Sequence, residues 1–100
     1  MRDIYHVLHQ NDFASYPDEV LNDYVDQCAS ASTAIKSALT VIGNLTFEAS
    51  MSEDYSDAES KRDLLLIGCV LRFLPRLAQV LSDNSGNAEF EQRKRKGCAK

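Results

Sequence analysis

The eighteen residues Leu64–Leu81, LLLIGCVLRFLPRLAQVL, constrain this chain more than any others, because no other window holds as much apolar side chain. Their polar residues Arg72, Arg76 and Gln79, with Asp83 one turn on, fall at i, i+4, i+7 and i+11, a single narrow stripe on a helix. A helix that is apolar around nearly all of its circumference has to be covered on nearly every side. In a chain of 100 residues there is little else to cover it, so the segment predicts partner subunits or a partner protein.

A chain of this length with 44% hydrophobic residues suits one small domain, near the size at which burial alone gives marginal stability. We expect a single helical domain over residues 1–92 and a basic tail over 93–100, the stretch AEFEQRKRKGCAK ending as a short frayed helix or in disorder. The uninterrupted apolar run Leu64–Leu71 ends at Arg72, short of the roughly 20 residues that cross a bilayer, so no membrane span is expected. The N-terminus, MRDIYHVLHQND, lacks the apolar core of a signal peptide. Cys28, Cys69 and Cys98 are odd in number and lack metal-ligand spacing, which fits a reducing cytoplasm. Charge is divided unevenly: residues 1–92 carry six Lys/Arg against fifteen Asp/Glu, a balance of −9, and residues 93–100 carry five basic residues and no acid. The acidic body repels nucleic acid, leaving only Arg93, Lys94, Arg95 and Lys96 for weak, salt-dependent contact with phosphates. No aromatic residue interleaves them to stack on bases; a solubilising tail is the plainer reading.

Ile4, Val7 and Leu8 predict a short N-terminal helix, with a strand through IYHVL as the alternative. Pro17 suits a first helical turn, Ser15 is placed to cap it, and Asp18 and Glu19 favour the positive helix end. From there positions 21, 25, 28, 32, 35, 39, 42, 46 and 49 advance by four and three, a heptad seam of about four repeats. Its middle, CASASTA, is built of small side chains that admit close helix approach. Gly43-Asn44 could end this helix; the pattern favours continuation to about Ala49. Ser56 and Glu59 have capping-box spacing. The second helix is expected to run to about Ser82, kinked near Leu71–Pro75, and to stop at Asp83-Asn84-Ser85-Gly86-Asn87.

The chemistry-bearing residues do not form a catalytic or cofactor constellation. His6 and His9 could share a helix face, but two imidazoles on a terminal turn make a poor metal site. The acidic run Glu48–Asp63 lacks the glycine and alternating ligands of an EF-hand. There is no nucleophile elbow or Gly-rich phosphate loop, and Cys98 in GCAK is one residue too near the end for a prenylation box. The expectation is therefore a non-enzymatic protein with neither cofactor nor metal.

The fold class predicted is all-α: an antiparallel hairpin of two long helices with a short N-terminal element, dimerising into a helical bundle. The expected oligomer interface comprises Leu21, Val25, Cys28, Ile35, Leu39, Ile42, Leu66, Val70, Phe73, Leu74, Leu77 and Leu81. Arg72 and Arg76 are expected either to pair with Asp23 or Asp26 of the first helix or to join a partner site with Glu53, Asp54, Tyr55, Asp57 and Glu59, Tyr55 being its aromatic anchor. The small-residue first helix (CASASTAIKSALTVIG), the acidic turn (SEDYSDAES) and the apolar second helix resemble, over residues 18–82, the small helical accessory proteins of bacteria and their prophages. Some of those are antirepressors or derepression proteins that bind a phage repressor. The resemblance implies a regulator that inhibits a DNA-binding protein, whose basic surface an acidic body complements. It assigns no functional residue. A nucleic-acid-associated protein and a structural oligomerisation module are the alternatives.

Overall fold

The computed structural model describes residues 2–98. It holds three helices, α1 (Ile4–Leu8), α2 (Asp18–Ser50) and α3 (Asp57–Cys98), and no strand among those residues. Helices α2 and α3 form an antiparallel hairpin and α1 lies on α3. The molecule is a rod of 66 × 26 × 16 Å.

Helix α2 begins where the acidic pair Asp18 and Glu19 meets the helix N-terminus, with Pro17 at the cap position and no side chain capping it. The Ser15 cap is thus not made; the preceding turn closes instead through Tyr16 N–H to Phe13 O at 3.1 Å. Gly43-Asn44 lies inside the helix, which continues to Ser50. The α3 start is set by Ser56, whose Oγ accepts from Glu59 N–H at 3.1 Å and whose hydroxyl donates to Glu59 Oε1 at 3.0 Å. Glu59 therefore takes the serine hydroxyl rather than the serine amide that a full capping box would use.

The heptad seam of α2 is the face that meets α3. Leu21, Val25 and Ser32 are buried, and Cys28, Ile35, Leu39, Ile42 and Ala49 are half-buried. Small side chains at the seam make close approach possible: Ser32 Oγ donates to Ala78 O and Ser85 Oγ to Val25 O, each at 2.8 Å. These bonds add direction to a contact that dispersion and burial would otherwise leave free to slide.

The core lies at one end of the rod. Phe13, Leu21, Val25 and Ala88 are closed off there, with Tyr16 and Tyr24 packed against them. Phe13 meets the Tyr24 and Tyr16 rings edge-on at 4.8 and 5.0 Å between centroids, a preferred aromatic geometry. Two interface expectations are corrected here. Leu21 and Val25 are covered by their own chain, because residues 13–16 fold back over the hairpin end, so they are not available to another subunit.

The end of α3 also departs from expectation. It does not stop at Ser82 but passes through Asp83-Asn84-Ser85-Gly86-Asn87 and on to Cys98. The residues read as a terminator are its contact surface with the rest of the chain. Asn84 accepts from Gln10 N–H at 2.8 Å and donates to Leu8 O at 2.9 Å, and Asn87 donates to Gln10 O at 3.0 Å. With their side chains held by residues outside the helix, they no longer compete for its own amides, which is the usual reason such residues interrupt helices.

The same holds for the basic segment. Residues 93–98 are helical rather than disordered; 99 and 100 lie outside the described residues. Arg95 anchors this turn, pairing with Glu91 at 2.8 Å and Asp18 at 2.6 Å and donating to Tyr16 O at 2.7 Å. Its fork geometry lets it take carboxylates and a backbone carbonyl together.

Candidate functional site

Continuing the register in which Ser32 meets Ala78 and Val25 meets Ser85 brings Lys36 and Arg72 to one level of the rod, its waist. On the core side, residues 3–10 lie along α3 and are tied to it by polar side chains. Arg76 Nε donates to Asp3 Oδ2 at 2.7 Å, the Arg76 guanidinium sits 4.5 Å from the Tyr5 ring centroid, and Tyr5 Oη donates to Asp83 at 2.5 Å. The Arg76 hydrogen bond holds the Asp3 carboxyl down at about 2, and Asp83 pushes the Tyr5 phenol up. Arg76 therefore pairs with Asp3 of α1, not with Asp23 or Asp26. Arg72 pairs with neither; it leans over the Phe73 ring, 5.7 Å from the centroid.

Beyond the waist no other helix of the described residues lies on the hairpin. Val41, Leu45 and Phe47 of α2, Met51 just after it, and Leu64, Leu65, Leu66, Leu71 and Phe73 of α3 are each more than half exposed, up to 70% at Leu65 and 73% at Met51. The inner faces meet on both sides of the waist: Val70 beyond it and Leu74, Leu77 and Leu81 on the core side are half-buried along the seam with α2. So the expected interface residues fall into two groups, a seam within the chain and, in Leu66 and Phe73, an outer face open to solvent. Leu64, Leu65 and Leu71 belong to the outer group as well, within the apolar segment already expected to need cover; Val41, Phe47 and Met51 were not among the expected contacts, and for Val41 and Phe47 the signal was the absence of charge from Ser37 to Phe47.

One shallow groove of about 370 Å³ runs along this outer half, lined by Leu45, Thr46, Ala49, Tyr55, Asp63, Leu66 and Ile67. At its end the Tyr55 hydroxyl donates to Asp63, which raises the phenol pKa and lowers that of the carboxyl. Tyr55 is thereby half-buried against its own chain. Glu53, Asp54, Asp57 and Glu59 are exposed around it. The turn thus presents carboxylates at its surface and keeps its aromatic ring turned inward.

His6 Nδ1 lies 3.0 Å from Asp3 Oδ1 and His9 stacks on Tyr5, so the two imidazoles are engaged separately. Among the described residues no group of three or more His, Cys, Asp or Glu is placed to hold a metal ion. A polar cleft of about 440 Å³ between the α2 and α3 ends is lined by Asp18, Asn22, Gln92, Arg95 and Lys96, and Arg95 already has its partners there.

Helix α3 as a whole differs from the short run Leu64–Leu71 in one respect. It contains an 18-residue window of mean hydropathy 1.8, only 11% of it buried, and is by length and composition able to cross a membrane. No family model matches the chain, and no curated protein or solved structure is significantly similar to it.

Proposed function

We propose that this chain is a non-enzymatic helical interaction protein that works as a homo-oligomer, its outer half packing into a helical bundle with other copies. The observation that carries this reading is the set of nine large apolar side chains left more than half exposed on α2, on α3 and at Met51 between them, in the half of the rod beyond the waist. At roughly 150–200 Å² for a large side chain, these expose on the order of 900 Å², similar to what one partner contributes to a standard interface and more than a lone soluble chain usually displays. Sedimentation equilibrium on the purified chain is the test. A dimer or tetramer is expected, and a monomer at tens of micromolar would overturn the reading.

Within that framework the chain acts in the cytoplasm as a regulator that binds a basic DNA-binding protein, in the manner of an antirepressor. Support comes from the −9 balance of residues 1–92 and from Glu19, Asp23 and Asp26, which lie exposed on α2 away from the seam. Added to a repressor–operator complex, the protein should release the DNA, with the effect fading as salt rises.

The hydropathy of α3 favours a second reading, in which the outer hairpin sits in a lipid bilayer. Flotation with phosphatidylcholine vesicles separates the two. Protein that stays at the bottom of the gradient as an oligomer fits self-assembly, and protein that floats fits membrane insertion.

A further inference from the structure

The exposed apolar surface beyond the waist includes one face whose character is set by what covers it farther along. On α3, Asn84 bonds residues 8 and 10 of the N-terminal segment. Phe73 and Leu66 precede Asn84 by eleven and eighteen residues, three and five turns at about 3.6 residues per turn, so they look out from the same side. That side is covered as far as Asp3, which is bound to Arg76, and is bare from Phe73 outward. Leu45 of α2 lines one groove with Leu66, and Val41 lies one turn before Leu45. These four make a single apolar strip beginning where the N-terminal segment leaves off.

Charge marks both ends of the strip. Between Ser37 and Phe47 on α2, and between Leu64 and Leu71 on α3, there is no charged residue. At the waist stand Lys36 and Arg72, and Arg72 has no acid within ion-pair distance among the described residues. At the turn stand Glu48, Glu53, Asp54, Asp57 and Glu59, against Lys61 and Arg62. The uncharged belt of eleven α2 residues is about 16 Å long at 1.5 Å per residue.

We infer that the strip Val41, Leu45, Leu66 and Phe73 is occupied by a second copy of this chain lying antiparallel, so that the acidic turn of each copy reaches Arg72 of the other. The inference rests on the self-assembly proposed above and adds the face, the direction and the charged contact. A parallel arrangement would set acidic turn on acidic turn and Arg72 beside Arg72, both repulsive. The antiparallel one superposes the two uncharged belts and brings opposite charges together twice, related by the twofold axis. It also gives Arg72 an acidic partner and reads the carboxylates of Glu53 and Asp54 as a self-recognition surface.

Sedimentation equilibrium on the full chain and two charge-reversed variants tests it. Arg72→Glu alone should weaken the dimer at least tenfold, and so should Glu53→Lys with Asp54→Lys. An equimolar mixture of the two should dimerise again, because both contacts then join opposite charges. In a cysteine-free background, Phe73→Cys with Asp54→Cys should form an intersubunit disulfide that Phe73→Cys alone does not. All these positions other than Phe73 are charged and exposed, and far-UV melting curves confirm that each variant is folded. A wild-type dimer with unchanged affinity in Arg72→Glu, or one that cross-links through Phe73→Cys alone, overturns the antiparallel docking and leaves self-assembly standing. A wild-type monomer overturns both.

Discussion

Asp3 and Arg76, 73 positions apart, are joined by a 2.7 Å charge-assisted hydrogen bond that fixes where the N-terminal segment starts on α3. The pair is partly exposed, with side-chain exposures of 35% and 40%, so solvent screens it and its role is positional rather than a large source of stability.

That pair carries a pH signature. Asp3 is held at about 2, below its ordinary value, chiefly by Arg76. A depressed carboxyl stabilises the folded arrangement above its unfolded pKa of about 4, and the contribution disappears as pH falls through the folded value. Amide exchange protection of Tyr5–Gln10 should therefore decline between about pH 4 and pH 2 in the wild type. In Asp3→Asn it should already be low at neutral pH and show a smaller change over that window. Equal protection in the two proteins would show that the ion pair does not hold the segment.

Asn84 should be the costliest polar side chain to remove. It is 2% exposed and satisfies both the Gln10 amide and the Leu8 carbonyl. Asn84→Ala leaves those two backbone groups to find other partners, at about 1–3 kcal/mol. Urea unfolding should report that loss, and limited proteolysis should cut near residues 8–12 in the variant first. Asn87→Ala, which removes one bond from a half-buried residue, should cost less.

Core and outer face should respond in opposite ways to mutation. Leu21 is fully buried, so Leu21→Ala should cost about 2–5 kcal/mol in any oligomeric state. Phe73 is half exposed, and Phe73→Ser should hardly change the unfolding of a dilute, dissociated chain while weakening its assembly. Comparing thermal melts at low and high protein concentration separates the two effects, since only stabilisation by association depends on concentration.

The hairpin was readable in the sequence because the α2 seam repeats by four and three over some thirty residues, and burial follows that repeat from Leu21 to Ala49 at every position but the exposed Thr46. Direction was less readable than periodicity. The same repeat serves a seam within one chain or between two, and only the fold-back of Phe13 onto Leu21 shows that this end is sealed internally. The Arg76 partner was misjudged for a related reason. Asp3 lies far away in sequence and reaches Arg76 only because Asn84 and Asn87 hold the intervening segment, a relationship that no local spacing encodes.

The misread end of α3 offers the sharpest local test. A DNSGN run signals a stop when its glycine takes the left-handed conformation of a helix cap, and alanine there would be strained. In the structure Gly86 lies within the helix, has no positive φ, and apart from its chain neighbours and the helix's own backbone has no atom within 4 Å of where a Cβ would stand. Gly86→Ala should then stabilise the protein by about 0.5–1 kcal/mol, because alanine loses less backbone freedom in a helix than glycine does. A higher midpoint in urea with an unchanged slope would agree with a continuous α3 carrying Arg95 to its contacts with Asp18 and Tyr16. A lower midpoint would mean that the helix ends near Ser82 after all, and the anchoring of residues 93–98 would fall with it.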